Sequence, residues 1–170
     1  MPLYFTIVKY NIESDPGTVR KPIHSEAKRE LNMEGTQFLP ALGRALIALP
    51  FLMSGFGKLA AYGATTAYIA SVGLPLPPLG WLIAVAFEVG GGLLLLLGLR
   101  SRPVALALAA FTLATAVFFH TNFADKNQII HFLKNIMIIG GLLQIAHFGA
   151  GSYSLDARTG RDGKAAPTAG

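Results

Sequence analysis

The chain reads as an all-α integral membrane protein, a bundle of four spanning helices with both termini on the cytoplasmic side. Three observations predict this. Apolar residues make up 52% of the 170 residues and charged residues only 14%, whereas ordinary soluble domains carry about 25% charged residues. The apolar residues gather in four runs, at about 38–57, 81–99, 103–120 and 129–148. As helices, runs of that length cross a hydrocarbon core about 30 Å thick. The third run carries no formal charge, and residues 93–97 are consecutive leucines, so the polar face that a soluble bundle needs is missing. A mean hydropathy of +0.50 excludes a disordered chain. The absence of cysteine excludes a disulfide scaffold and any Cys-based metal or redox site. No metal site is expected.

Residues 1–35 form an N-terminal arm. The apolar patch at 3–8 is too short for a signal-peptide core and has no basic region before it. Arg20, Lys21, Lys28 and Arg29 interleave with Glu26, Glu30 and Glu34. We expect a poorly ordered arm or an extension upstream of a native start at Met33; an amphipathic arm on the membrane surface is the alternative. Residues 36–150 form the membrane domain. After the first span, Ala67-Tyr68-Ile69-Ala70-Ser71-Val72 predicts a brief interfacial helix, ended by Pro75, Pro77 and Pro78. Arg100-Ser101-Arg102 makes a tight basic hairpin, with Pro103 opening the third helix. Residues 120–128 join the third span to the fourth. Residues 151–170 are small and polar and are expected to be a disordered cytoplasmic tail.

Charge sets the orientation. With four spans, the termini and the 100–102 hairpin share a side. That side holds Lys9, Arg20, Lys21, Lys28, Arg29, Arg100, Arg102, Arg158, Arg161 and Lys164, and the other holds Lys58 and Lys126. The bias places both termini in the cytoplasm. The net charge of +5 is thus topological, and attraction to anionic lipid accounts for it. A nucleic-acid partner is not expected, because no basic stripe with interleaved aromatics is present.

Orientation gives each interior polar residue a depth. Arg44 falls in the inner half of the first span. Lys58, Glu88, His120, His131, Lys134 and Asn135 fall in one layer, the outer third of the bilayer. A lone charge in lipid costs at least a few kcal/mol, so ionisable residues there pair and often mark function. Glu88 and Lys134, at similar depth, are natural partners. His131, Lys134 and Asn135 are three and four apart and share a helix face, expected to point into the bundle. Two readings compete: an interhelical clamp, or a polar pocket that binds substrate or moves protons. Haem ligation by His120 and His131 is a weaker alternative, and His24 and His147 read as incidental. Gly55, Gly57, Gly90, Gly91, Gly92, Gly140 and Gly141 suit close helix approach.

Several segments resemble the DoxX family of small bacterial four-helix membrane proteins. They are Leu42-Gly43-Arg44 with Phe51-Leu52-Met53-Ser54-Gly55-Phe56-Gly57-Lys58; residues 67–75; Glu88 with the following glycines and Gly98-Leu99-Arg100-Ser101-Arg102; His120; Lys134-Asn135 with Gly140-Gly141; and residues 149–156. The resemblance covers about residues 38–156. It implies a bacterial inner-membrane, multi-pass protein. Some family members are subunits of a thiosulfate:quinone oxidoreductase, and others are linked to membrane redox and detoxification complexes. The family's recurrent polar positions match Arg44, Lys58, Glu88, His120, Lys134 and Asn135.

The leading expectation is a redox-associated protein with a quinone- or small-molecule-binding layer. Glu88 and Lys134 are the candidate catalytic pair, Glu88 handling protons and Lys134 with Lys58 stabilising anionic oxygens. Arg44, Lys58, His120, His131 and Asn135 are the candidate cofactor-binding residues. A quinone is the candidate cofactor, and on this expectation, though not on the alternatives below, the chain would be a quinone-linked oxidoreductase or a subunit of one. The expected partners are the lipid bilayer and either a soluble redox enzyme or a second copy of the chain. The alternatives are a non-catalytic subunit that anchors soluble enzymes and a small proton-coupled exporter.

Overall fold

A computed structural model describes residues 36–160. The readings of the N-terminal arm and of residues 161–170 lie outside the described residues. Within them four helices are long and apolar enough to cross a membrane: α1 (Leu39–Ala60), α3 (Pro77–Leu97), α4 (Ser101–Phe119) and α5 (Lys126–Phe148). The short α2 (Tyr62–Ser71) follows α1, and α6 (Leu155–Arg158) closes the described chain. No strand occurs among the described residues. The all-α, four-span expectation holds, with helix ends shifted by a few residues.

The shifts have local causes. Pro77 and Pro78 sit in the first turn of α3, where a proline lacks no hydrogen bond that the helix needs; read as turn residues, they had placed the start four residues too late. At α5, Asp125 caps the helix by accepting from the Asn127 amide at 2.8 Å, which moves the start back to Lys126. In α2 the Thr65 and Thr66 hydroxyls donate to carbonyls one turn earlier. With these local bonds α2 extends back to Tyr62.

Small residues let the helices approach. A side-chain carbon on Gly55 of α1 would lie 2.6 Å from Val89 Cγ2 of α3, and one on Gly141 of α5 would lie 2.8 Å from Ile47 Cδ1 of α1. The core between them comprises Ala48, Phe51, Leu95, Ala105, Leu108, Ala109 and Leu142. It is thin, because most of each helix faces outward. In α5 only 6% of the most apolar stretch is buried, against 33% in α4, so α5 is the peripheral span.

The bundle has two distinct ends. At the hairpin end Gly98 adopts a left-handed conformation, φ 68°, against the Arg44 guanidinium and Ser154. The expectation of a disordered tail fails for residues 151–158. Ala150, Ser154 and Asp156 are buried. Asp156 accepts from the backbone amides of Arg100 and Ser101, each at 2.7 Å, while its own amide donates to the Gly98 carbonyl. The open N-terminus of α4 offers unpaired N–H groups, and the tail's carboxylate satisfies them. The other end, where α1 stops and α3 begins, carries the pocket.

Candidate functional site

Glu88 sits in α3 within residues Ala86–Gly91, which form a π-helical turn. Such a turn inserts one extra residue and re-aims the side chains around it. Gly55 brings α1 within contact of this turn, since a carbon on Gly55 would lie 3.0 Å from Glu88 Cβ. Lys58, three residues on from Gly55, then reaches across. Its Nζ donates to Glu88 Oε1 at 2.9 Å, to Glu88 Oε2 at 2.8 Å and to Ser54 Oγ at 2.7 Å. The three ammonium protons therefore have three acceptors. Glu88 is 6% exposed.

The expected Glu88–Lys134 pair is thus replaced by Glu88–Lys58. The two were expected at similar depth, but depth does not fix which way a residue points around its helix. Lys134 is exposed on α5, and among the described residues it forms no hydrogen bond or ion pair. His131 is also exposed, so the shared face of His131, Lys134 and Asn135 does not point wholly inward.

Beside the ion pair lies a cavity of about 550 Å³, within the range of small-molecule sites. Its polar lining includes Ser54, Lys58, Glu88, Thr115, His120 and Asn135. Its apolar wall includes Ile69, Ile83, Phe111, Phe118 and Phe119, with Tyr68 of α2 on the same side. Tyr68 and Phe119 are in ring contact, centroids 5.3 Å apart, so α2 closes this wall against the end of α4. Trp81 anchors the start of α3, donating from its indole nitrogen to the Lys58 carbonyl at 2.9 Å and meeting Tyr62 edge to face.

His120 ends α4 and faces Gln128, with Nδ1 2.9 Å from Oε1. An amide oxygen only accepts, so Nδ1 is the donor in this contact. His131 stacks on His120, centroids 5.1 Å apart and planes 19° from parallel. That arrangement turns ring faces, not nitrogens, toward each other, and it does not suit shared ligation of a haem iron.

Of the seven candidate residues, the structure brings Lys58, Glu88, His120 and Asn135 to one cavity. His131 touches it through His120. Lys134 and Arg44 are not among its lining residues. Arg44, 2% exposed, donates to the Tyr153 carbonyl at the opposite end of the bundle, where it holds the C-terminal segment. Sequence reasoning did not assign Ser54, Tyr68 or Thr115 to the site. The Ser54–Lys58 spacing of four was a usable signal; the Tyr68–Phe119 contact had none.

Comparison with known proteins gives a consistent result. The sequence model of the DoxX family matches residues 39–121. The chain is 39% identical over 117 residues to the inner membrane protein YqjF of Escherichia coli K12, covering 68% of this chain and 87% of that protein. It is 38% identical over 122 residues to the inner membrane protein YphA of the same organism, covering 69% and 87%. No solved structure gives a significant match. The four spans, the order of the shared segments and these relatives lead to one conclusion: the chain belongs to the DoxX family and is an inner-membrane protein.

Proposed function

We propose that this protein is redox-associated and binds a quinone in the cavity beside Lys58 and Glu88. The observation that carries the reading is the cavity's composition, a mostly apolar and aromatic lining with polar groups gathered around one half-buried ion pair. A quinone ring has two apolar faces and two carbonyl acceptors at its edge. Phe111, Phe118, Phe119 and Tyr68 supply the apolar walls. The Lys58 ammonium and the Asn135 amide supply donors, and the Ser54 hydroxyl, which accepts from Lys58, keeps its own proton to donate.

A bound quinone would supply two-electron, two-proton redox chemistry. The chain's own residues would orient it, exclude water and manage protons. Lys58 can turn one donor from Ser54 to a ligand oxygen and still hold Glu88. Glu88 can take up a proton once its cation is shared. In this reading Lys58 takes the electrostatic role that the sequence had divided with Lys134. With both carboxylate oxygens bound by Lys58, the arrangement counts against the free coupling glutamate of a proton-driven exporter.

Trp81 is the chain's single tryptophan and sits beside Lys58, so it reports on the cavity. Decylubiquinone titrated into purified protein is expected to quench its fluorescence saturably. Glu88→Gln and Lys58→Met are each expected to weaken binding about tenfold or more, the cost of removing one charge-assisted partner. Quenching that does not saturate, or that is identical in the variants, overturns the proposal. Stable co-purification of a soluble enzyme without such quenching would favour the anchoring role.

A further inference from the structure

We infer that the seam between α1 and α5 is a lateral portal through which the apolar tail of the cavity's ligand reaches the bilayer. This rests on the reading that the cavity binds a ligand. The ligand class is an amphiphile with a hydrogen-bond-accepting head and a hydrocarbon tail.

The seam is shut near the hairpin end, where Ile47 of α1 meets Gly141 of α5. The two helices run antiparallel. Seven residues further along α1 is Ser54, and seven residues back along α5 is Lys134. Seven residues are about two turns and about 10 Å, so both return to the same stripe at the level of the cavity. Neither is covered there; Ser54 and Lys134 are both exposed. Ser54 also lines the cavity, as does Asn135, the neighbour of Lys134. The seam therefore opens where the cavity begins, with a hydroxyl on one lip and an ammonium on the other.

Lys134 makes this more than a gap in packing. It lies eight residues into α5, about 12 Å from the helix start, and no described residue pairs with it. An ammonium at that depth needs an electron-rich partner. A ligand head drawn along the seam toward Lys58 would pass it. Met53, next to Ser54 in α1, is exposed and offers apolar surface to a hydrocarbon tail.

Because the chain has no cysteine, Lys134→Cys provides a unique thiol outside the cavity lining. The variant is reconstituted in liposomes and modified with N-ethylmaleimide, which is small, or with benzophenone maleimide, which is bulky. The readout is the rate of Trp81 quenching, by decylubiquinone supplied in the lipid or by tail-less duroquinone supplied in the water. We expect the bulky adduct to slow the tailed quinone about tenfold or more. The small adduct and the duroquinone rates should stay within about twofold of the unmodified variant, as expected when only an entry route is narrowed. An unchanged decylubiquinone rate under the bulky adduct overturns the portal, and so does equal slowing of both quinones. Absence of quenching by either quinone in the unmodified wild-type protein overturns the binding reading itself, and the portal with it.

Discussion

Lys58 and Glu88 are coupled more tightly than their separate burial suggests. Lys58 is partly exposed through its side chain, at 27%, but Glu88 is enclosed, at 9%. Removing the cation leaves a carboxylate with both oxygens unpaired in an apolar wall. Removing both charges leaves only a neutral amide to solvate, which costs less than a lone carboxylate. Lys58→Met should therefore destabilise the folded protein by about 1–3 kcal/mol, and Lys58→Met/Glu88→Gln by less than Lys58→Met alone. Thermal melts in one detergent, run as a double-mutant cycle that includes Glu88→Gln as the second single variant, check this order. Asp156 is a second residue whose loss would be felt. Its two oxygens each take one amide of α4, so Asp156→Ala should cost about 1–2 kcal/mol and Asp156→Asn roughly half of that, since one acceptor survives. The same melts decide it, and an unchanged Asp156→Asn beside a destabilised Asp156→Ala would show that packing, not capping by the carboxylate, holds the segment. Both residues differ in how legible they were. Glu88 stood out because burial cost alone flags a glutamate among leucines. Asp156 lay in a polar stretch that composition reads as tail, and only the open N-terminus of α4, a property of the folded backbone, gives it a place.

The element that most determines the site is the π-helical turn of α3. No periodicity in Ala86-Phe87-Glu88-Val89-Gly90-Gly91 announces it, because an extra residue in one turn leaves hydropathy unchanged. Its effect is angular: residues on either side of the turn are rotated by about 100° relative to an uninterrupted α-helix. Gly90 is the position to test, since a side chain there would meet nothing within 4 Å and its removal deletes no contact. Deleting Gly90 should let α3 return to regular geometry while the span still inserts. Trp81 and Gly92 could then no longer both keep their partners, Lys58 and Leu52. Saturable quenching of Trp81 by decylubiquinone should be lost, and substituting Gly90 by Ala should preserve it. Full binding by the deletion variant would show that the π turn does not aim Glu88. The spans themselves were readable from run length. Their mutual rotation was not, and the exchange of Lys134 for Lys58 as the partner of Glu88 came from that missing angle.

At the scale of the molecule, the two ends of the bundle have different chemistry, and the remaining question is which side of the membrane each occupies. The hairpin end gathers Arg100, Arg102 and Arg158 around the docked C-terminal segment, whereas the cavity end carries Lys58, paired with Glu88, and Lys126. Pairing with Glu88 leaves Lys126 as the main topogenic cation at the cavity end, so the asymmetry is sharper than a count of basic residues implies. Alkaline phosphatase, active only after export, should be inactive when fused after Gly160 and active when fused within the loop before Lys126. Arg100→Glu/Arg102→Glu should weaken this preference, and a C-terminal fusion with phosphatase activity in the unaltered chain would reverse the assignment. The result determines which side the proposed proton handling faces. With the hairpin end in the cytoplasm, the cavity lies in the periplasmic half of the bilayer, and a proton taken up by Glu88 in the proposed reading would come from the periplasm. With the opposite orientation that proposed proton uptake would draw on the cytoplasm.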